Sequence, residues 1–320
     1  MSRAAPNPAQ IGRFAEWMPS SGQVHAFDFC QGGERVLFPP AGAAGALDSF
    51  FLNAAHQFGF WYLEDGRYTQ PMITAVDGVN RKGSDYLFYC FQRALNRQSD
   101  FFSLAQMKEL TESDWDAVFQ DDNGRNPLPM WPEHLDLIHQ YIDWFVEHES
   151  TPQALVDEAN ASDGVLATFL ELVGRVPGYR EDPMRKKLML LAVILENRPE
   201  GFLRVNDPEA AVPIIDYHLQ RSALRTGLVQ VEDEALRERL LARAEVSGSD
   251  EQAIRQATYQ AIEALVEQSG LSVAAVDYFF FTNRTRCPEM TAPQCEACPV
   301  NDICAHETEL FQPVYRTTAY

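Results

Sequence analysis

The sequence predicts a mainly helical protein of the α+β class, a helical body with a small N-terminal sheet. Three observations predict it. Apolar residues recur at helical spacing from Ser84 to Gly270. Residues 23–80 are instead rich in aromatic and β-branched side chains. The last tenth then packs four of six cysteines into CPEMTAPQCEACPVNDIC, residues 287–304. Three segments follow: an N-terminal α+β region over 1–83, a helical body over 84–286, and a cysteine loop with its tail over 287–320.

The elements can be argued in order. IGRFAEWM places Ile11, Phe14 and Met18 on one helical face. QVHAFDF, RVLF and FGFWYLEDGRYTQPMITAV read as strands, with Asp65-Gly66 as a hairpin turn. SDYLFYCFQRALNR and WPEHLDLIHQYIDWFVEH carry helical periodicity, and TPQALVDEA opens on a first-turn proline. DPMRKKLMLLAVILEN predicts a central helix, apolar on every side, with Asp182 as N-cap and Pro183 just inside. VPIIDYHLQRSALRTG closes on Gly227 as a C-cap. SDEQAIRQATYQAIEALVEQSG opens on a Ser249-x-x-Gln252 capping box and ends at Gly270, and the last helix feeds the cysteine loop.

Composition narrows the function classes. The chain has 320 residues, and its 46% hydrophobic and 22% charged content is ordinary for a globular protein. No apolar run approaches the ~20 residues of a membrane span. The start, MSRAAPNPAQ, lacks the apolar core of a secretory signal, so a cytoplasmic protein is expected. With 46 acidic against 26 basic side chains, the net charge is -20. That field repels polyanions and disfavours, without excluding, extended nucleic acid as a partner.

Cys287, Cys295, Cys298 and Cys304 give C-x7-C-x2-C-x5-C. Thiols kept reduced and clustered point to metal rather than disulfides. Four thiolates suit a [4Fe–4S] cluster or zinc, and ligand identity alone leaves both open. The asymmetric spacing, with Pro293 and Pro299 around the C-x2-C pair, resembles the iron–sulfur loop of endonuclease-III-type DNA glycosylases. VDYFFFTNRTRC resembles the segment leading into that loop. The resemblance implies a structural [4Fe–4S] cluster that anchors the C-terminus.

The same helix-hairpin-helix glycosylase superfamily carries an aspartate at a helix start, facing the N-glycosidic bond. AAVPIIDYHLQRSALRTG is similar to that element, with Asp216 near the positive end of the helix dipole. An anion fixed there stabilises the oxocarbenium-like sugar formed as the base departs, or orients water. The competing reading is a plain helix cap.

FFLNAAHQFGFW, GSDYLFYCFQRALNR, ELTESDWDAVFQ and NPLPMWPEHLDLIHQYIDWF resemble, in that order, the queuosine salvage proteins, which are queuosine-nucleotide N-glycosylases. RKKLML and IDYHLQ take the places of that family's later segments. The resemblance implies Asp216 and Lys186 as catalytic residues. It also places Asn53, Phe60, Trp61, Tyr217, His218 and Lys187 with the substrate, and His56 joins them by residue type, a polar side chain in an apolar context that can read the edge of a base. By residue type alone, adjacent Lys186 and Lys187 point about 100° apart on a helix and read as solvated or phosphate-facing charges. Phe58 and Phe60 read equally well as core, since alternate residues share a strand face. The expected function is release of a (deaza)guanine-type base such as queuine from a nucleotide or nucleoside. The alternatives are a [4Fe–4S] base-excision DNA glycosylase and a non-catalytic iron–sulfur or nucleotide-binding protein.

Overall fold

The computed structural model describes residues 3–22, 24, 29–30 and 37–320. The strands expected in QVHAFDF and RVLF fall largely outside them. Chain order begins with β1 (Ala4–Pro6), α1 (Pro8–Ser20) and α2 (Ala46–Ala55). Two hairpins follow, β2 (Trp61–Glu64) with β3 (Arg67–Pro71) and β4 (Ile73–Val76) with β5 (Val79–Lys82). The rest is helical except for one short strand. It comprises α3 (Gly83–Arg97), α4 (Leu104–Met107), α5 (Glu112–Val118), α6 (Trp131–Glu147), α7 (Pro152–Asn160), α8 (Val165–Val173), α9 (Lys186–Glu196), α10 (Tyr217–Thr226), β6 (Val229–Val231), α11 (Glu234–Leu241), α12 (Gly248–Ser269) and α13 (Val273–Asn283). The described residues are thus mainly α-helical, with small two-stranded sheets.

Turn chemistry explains the hairpins. Asp65-Gly66 and Asp77-Gly78 both place two successive residues at positive φ, at 48° and 70° and at 48° and 73°. Two left-handed residues make the turn whose twist matches paired strands. The second Asp-Gly was equally visible in the sequence. Among the described residues the two hairpins form separate two-stranded sheets rather than one, and β1 pairs with β6, Ala4 opposite Val231.

The chain divides into two compact units. Unit 1 comprises Met1–Phe27, Leu63–Gln70 and Val212–Arg316; unit 2 comprises Asp28–Tyr62, Pro71–Ala211 and Thr317–Tyr320. Both interleave along the sequence and cut across the three segments expected in sequence order. In unit 1, α1 and α10 pack with α12, α13 packs with α10, and β1 lies on α12. Ile11, Phe14 and Met18 are buried there with Leu219, Leu224, Ile254, Ile262 and Phe280. Each such side chain contributes about 1.5–3 kcal/mol on burial. In unit 2, α2 packs on α9, and α7 on α8. Buried positions run round the whole of α9, as expected of a central helix.

Two helix starts are corrected. Helix α9 begins at Lys186 rather than at Asp182-Pro183. The Asp182 carboxylate accepts the N–H groups of Met184 (3.0 Å) and Lys186 (2.8 Å), and Arg185 turns left-handed at φ 58°. A residue before proline resists the helical region, so the chain turns once before the helix begins. Helix α12 is capped by Ser247, not Ser249. The Ser247 hydroxyl accepts the Asp250 N–H at 3.2 Å and donates to the Asp250 carboxylate at 2.7 Å. The segment holding Asn53 and His56 is likewise helical, Asn53 lying in α2 and His56 capping its C-terminus.

Candidate functional site

In unit 1 the site is built on α10. Asp216 is the N-cap: its backbone is extended and its Oδ1 accepts the Leu219 N–H at 2.8 Å. The carboxylate is half-buried, and among the described residues Oδ2 has no hydrogen-bond partner. One oxygen therefore holds the helix start, where the dipole favours an anion, and the other is available for chemistry. Tyr217 follows, half-buried, its phenol held above the ordinary value by burial first and then by the Asp216 and Glu289 carboxylates.

The opposite face of α10 grips the cysteine loop. His218, Arg221 and Arg225 stand at i, i+3 and i+7, so they share that face. Arg221 donates to Gln312 Oε1 (2.8 Å) and meets His218 Nδ1 (3.0 Å), and the buried Glu289 carboxylate lies 3.6 Å from both side chains. Arg225 donates to the Leu310 carbonyl (2.7 Å), the Pro288 carbonyl (2.8 Å) and Cys287 Sγ (3.4 Å). The end of the loop returns to the same turn. Cys304 Sγ donates to the Arg225 carbonyl at 3.6 Å, and the Ala305 N–H to Thr226 O at 3.2 Å. Gly227 closes α10 at φ 79°, where a Cβ would sit 2.5 Å from that of Ala305, so the loop's approach requires glycine twice over.

All four cysteines are unpaired, and all four line one cavity of about 50 Å³ with Arg225, Arg286 and His306. Burial pushes the Cys298 and Cys304 thiols up, and neighbouring cysteines push the same way. A bound cation would reverse that sign and favour thiolates. N–H donors already point at sulfur, from Arg225 to Cys287 and from the His306 backbone to Cys304 at 3.3 Å. Such bonds commonly support ligated thiolates. The soft donor set fits the expected metal centre. Among the described residues no three His, Cys, Asp or Glu side chains converge closely enough to hold a single ion.

The chain matches no protein-family model and no curated protein sequence.

Unit 2 holds the other expected residues around the end of α2. Lys186 and Lys187 are buried, not solvated, at 5% and 1% exposure. Their ammonium groups donate to the carbonyls of Gln57 (3.1 Å) and Ala55 (2.9 Å). A helix end leaves carbonyls unsatisfied and attracts cations, so two flexible stems from adjacent positions reach the same place. His56 Nδ1 lies 2.9 Å from Nδ1 of His134 on α6. Only one of those nitrogens can carry a proton at that distance, so the neutral rings are opposite tautomers. Burial holds both imidazoles well down, His134 to about 3, and Lys187 pushes them the same way. Phe58 stacks on His134 with centroids 4.0 Å apart. Asn53 Oδ1 accepts from Gln57 at 2.8 Å, while Asn53 Nδ2 and both histidine Nε2 atoms are buried without partners among the described residues. Phe60 and Trp61 are buried at 5% each, Phe60 against Gly83.

The structure thus groups Asp216, Tyr217 and His218 with the four cysteines in unit 1, and Asn53, His56, Phe60, Trp61, Lys186 and Lys187 in unit 2. Sequence reading missed Arg221, Arg225, Glu289 and His134. One signal was present: two arginines on a helix that also carries core leucines, at the spacing of its histidine.

Proposed function

We propose that the chain is an N-glycosyl hydrolase that releases a (deaza)guanine-type base such as queuine from a nucleotide or nucleoside, on a body of the helix-hairpin-helix glycosylase kind. The observation carrying this reading is the Asp216 carboxylate. It is half-buried at a helix start, with one oxygen engaged in the cap and the other without a hydrogen-bond partner among the described residues. Asp216 bears on the anomeric carbon: as the C1′–N bond breaks, the bonding pair leaves with the base and positive charge grows on the sugar. The fixed anion stabilises that charge and orients a water, whose oxygen bonds to C1′ while its proton passes to the departing base or to solvent. A 7-deaza base lacks the N7 that acid would protonate, so the carboxylate and hydrogen bonds to the base must supply the stabilisation.

We assign Tyr217 and His218 to the substrate beside Asp216. For Asn53, Phe60 and Trp61 at the base, and Lys186 with Lys187 at the sugar or its phosphate, the support is the queuosine-salvage resemblance alone, and His56 joins the base by residue type; these six side chains are buried within unit 2. Cys287, Cys295, Cys298 and Cys304 would hold a [4Fe–4S] cluster, or zinc. Bound there, the metal supplies a cross-link that pins loop and tail to α10.

Incubation with queuosine 5′-phosphate, with queuosine, and with lesion-bearing duplexes tests the reading by assay of free base. Release from the first two supports it. Release only from duplex DNA shifts the chain to base excision, the reading the cysteine loop favours next. Asp216→Asn keeps a capping side chain, so stability should stay within about 0.5 kcal/mol while release falls about 10²–10⁴-fold. Unchanged turnover would refute the assignment. Cys298→Ser should lower bound iron or zinc, read by elemental analysis.

A further inference from the structure

The cysteine loop meets the last turn of α10 at both of its ends, and both ends meet one residue. Arg225 is 4% exposed and lines the cavity that holds the four thiols. Its Nη1 turns to the start of the loop, 2.8 Å from the Pro288 carbonyl and 3.4 Å from both the carbonyl and Sγ of Cys287. Its Nε donates at the same time to the Leu310 carbonyl of the tail, at 2.7 Å. The Arg225 carbonyl serves the other end, accepting the Glu307 N–H at 3.0 Å and the Cys304 thiol at 3.6 Å. One residue therefore touches the first and the last of the four cysteines. A second buried side chain supports the far end. Gln10 of α1, 5% exposed, donates from Nε2 to the carbonyls of Thr226 and Ile303, at 2.6 Å each.

Bringing the ends of a flexible loop together costs entropy. A chelating loop whose ends are already fixed keeps more of its binding energy for the metal. The residue type matters as well. A guanidinium sends Nε and Nη1 in fixed directions, so one side chain spans loop and tail, whereas a lysine ammonium is a single point.

We infer that Arg225 is the positioning residue of the metal loop: by joining Cys287 to the tail across the end of α10, it sets where the outer two cysteines stand and so how tightly the four thiols hold metal. The inference rests on the reading of the loop as a metal centre and is separate from the chemistry at Asp216. Groups that orient metal ligands from behind are worth about 10–100-fold in affinity. Arg237 of α11 is the natural control. It also reaches the tail, its Nη2 2.8 Å from the Glu307 carboxylate, but that pair is partly exposed and among the described residues bonds to no cysteine.

The test reconstitutes the full chain with iron and sulfide, and separately with Zn²⁺, and then withdraws the metal with a chelator. Arg225→Gln should hold metal about 10–100-fold more weakly than the wild type, and its sulfur-to-metal charge-transfer bands should shift as Cys287 is displaced. Arg225→Lys keeps the charge and gives up the fork, so it should recover only part of the affinity. Arg237→Gln should match the wild type. Circular dichroism and urea unfolding of the metal-free proteins separate lost affinity from lost fold, and where Arg225→Gln does not fold, Arg225→Lys carries the comparison. Full affinity in Arg225→Gln, full recovery by lysine, or an equal loss in Arg237→Gln overturns the inference alone. A wild type that takes up neither metal overturns the metal reading of the loop and the inference with it.

Discussion

The two histidines that meet at 2.9 Å show how much one buried contact can decide. Neither ring takes a proton readily in the folded state, whereas both do so below about pH 6.5 once unfolded. Below that pH the unfolded chain binds more protons, so stability is full above about 6.5 and falls as pH drops toward about 3. The slope is about 1.4 kcal/mol per pH unit for each ring. Asp48 works the other way. Burial raises its carboxyl to about 6, so its contribution is present at low pH and lost as pH rises from its ordinary value of 3.8 through about 6. The decisive measurement is therefore a difference: urea unfolding from pH 4 to 7 for the wild type and His134→Gln. The variant should lose one proton's worth of slope, and parallel curves would mean that the pair is not neutral. The Asp216 substitution belongs at this scale too, because Asn keeps the cap and removes only the charge.

Among the elements, α10 carries the most. One face enters the core of unit 1 through Leu219, Ala223 and Leu224, and another holds the cysteine loop through His218, Arg221 and Arg225. Its two caps do different work, Asp216 presenting a carboxylate and Gly227 allowing close approach of Ala305. Gly227→Ala should therefore cost about 2 kcal/mol or more and lower the metal content of the loop. Gly270 is a good control, since it caps α12 with similar φ (69°) and has nothing within 4 Å of a new Cβ. Its alanine variant should cost only the left-handed penalty of about 1 kcal/mol and leave metal content alone. Denaturant unfolding and elemental analysis of both variants check the pair. Equal losses would show that the Ala305 contact contributes nothing.

At the scale of the whole molecule, the net charge of -20 governs encounter. Repulsion between like charges falls within about 8–10 Å at physiological salt. On the proposed function, kcat/KM for a phosphorylated nucleotide should rise with ionic strength from 0.01 to about 0.15 M, while that for the nucleoside, which lacks the phosphate, should not. Steady-state assays with both substrates give the answer; a fall for the nucleotide would point to a local basic patch that outweighs the mean field. No helix among the described residues is long and apolar enough to cross a membrane.

Periodicity and turn residues were enough to predict the helical body, the Asp65-Gly66 hairpin, the caps at Gly227 and Gly270, and the buried ring of α9, while the cap at Asp216 was only the competing reading of that residue. These are short-range properties, set by side chains within one or two turns of each other. The starts of α9 and α12 were misread by a few residues, α9 because the residue before Pro183 resists the helical region and α12 because Ser247 and Ser249 compete for the same cap. The cysteine cluster was legible for the same local reason, its four thiols falling within 18 residues. What the folded chain alone decided were meetings across long separations: β1 with β6, His56 with His134 at 78 residues, Arg225 with Cys287 at 62, and two lysines drawn into the end of α2. Partners so far apart leave no periodic trace, since what joins them is the burial of surfaces contributed by separate elements.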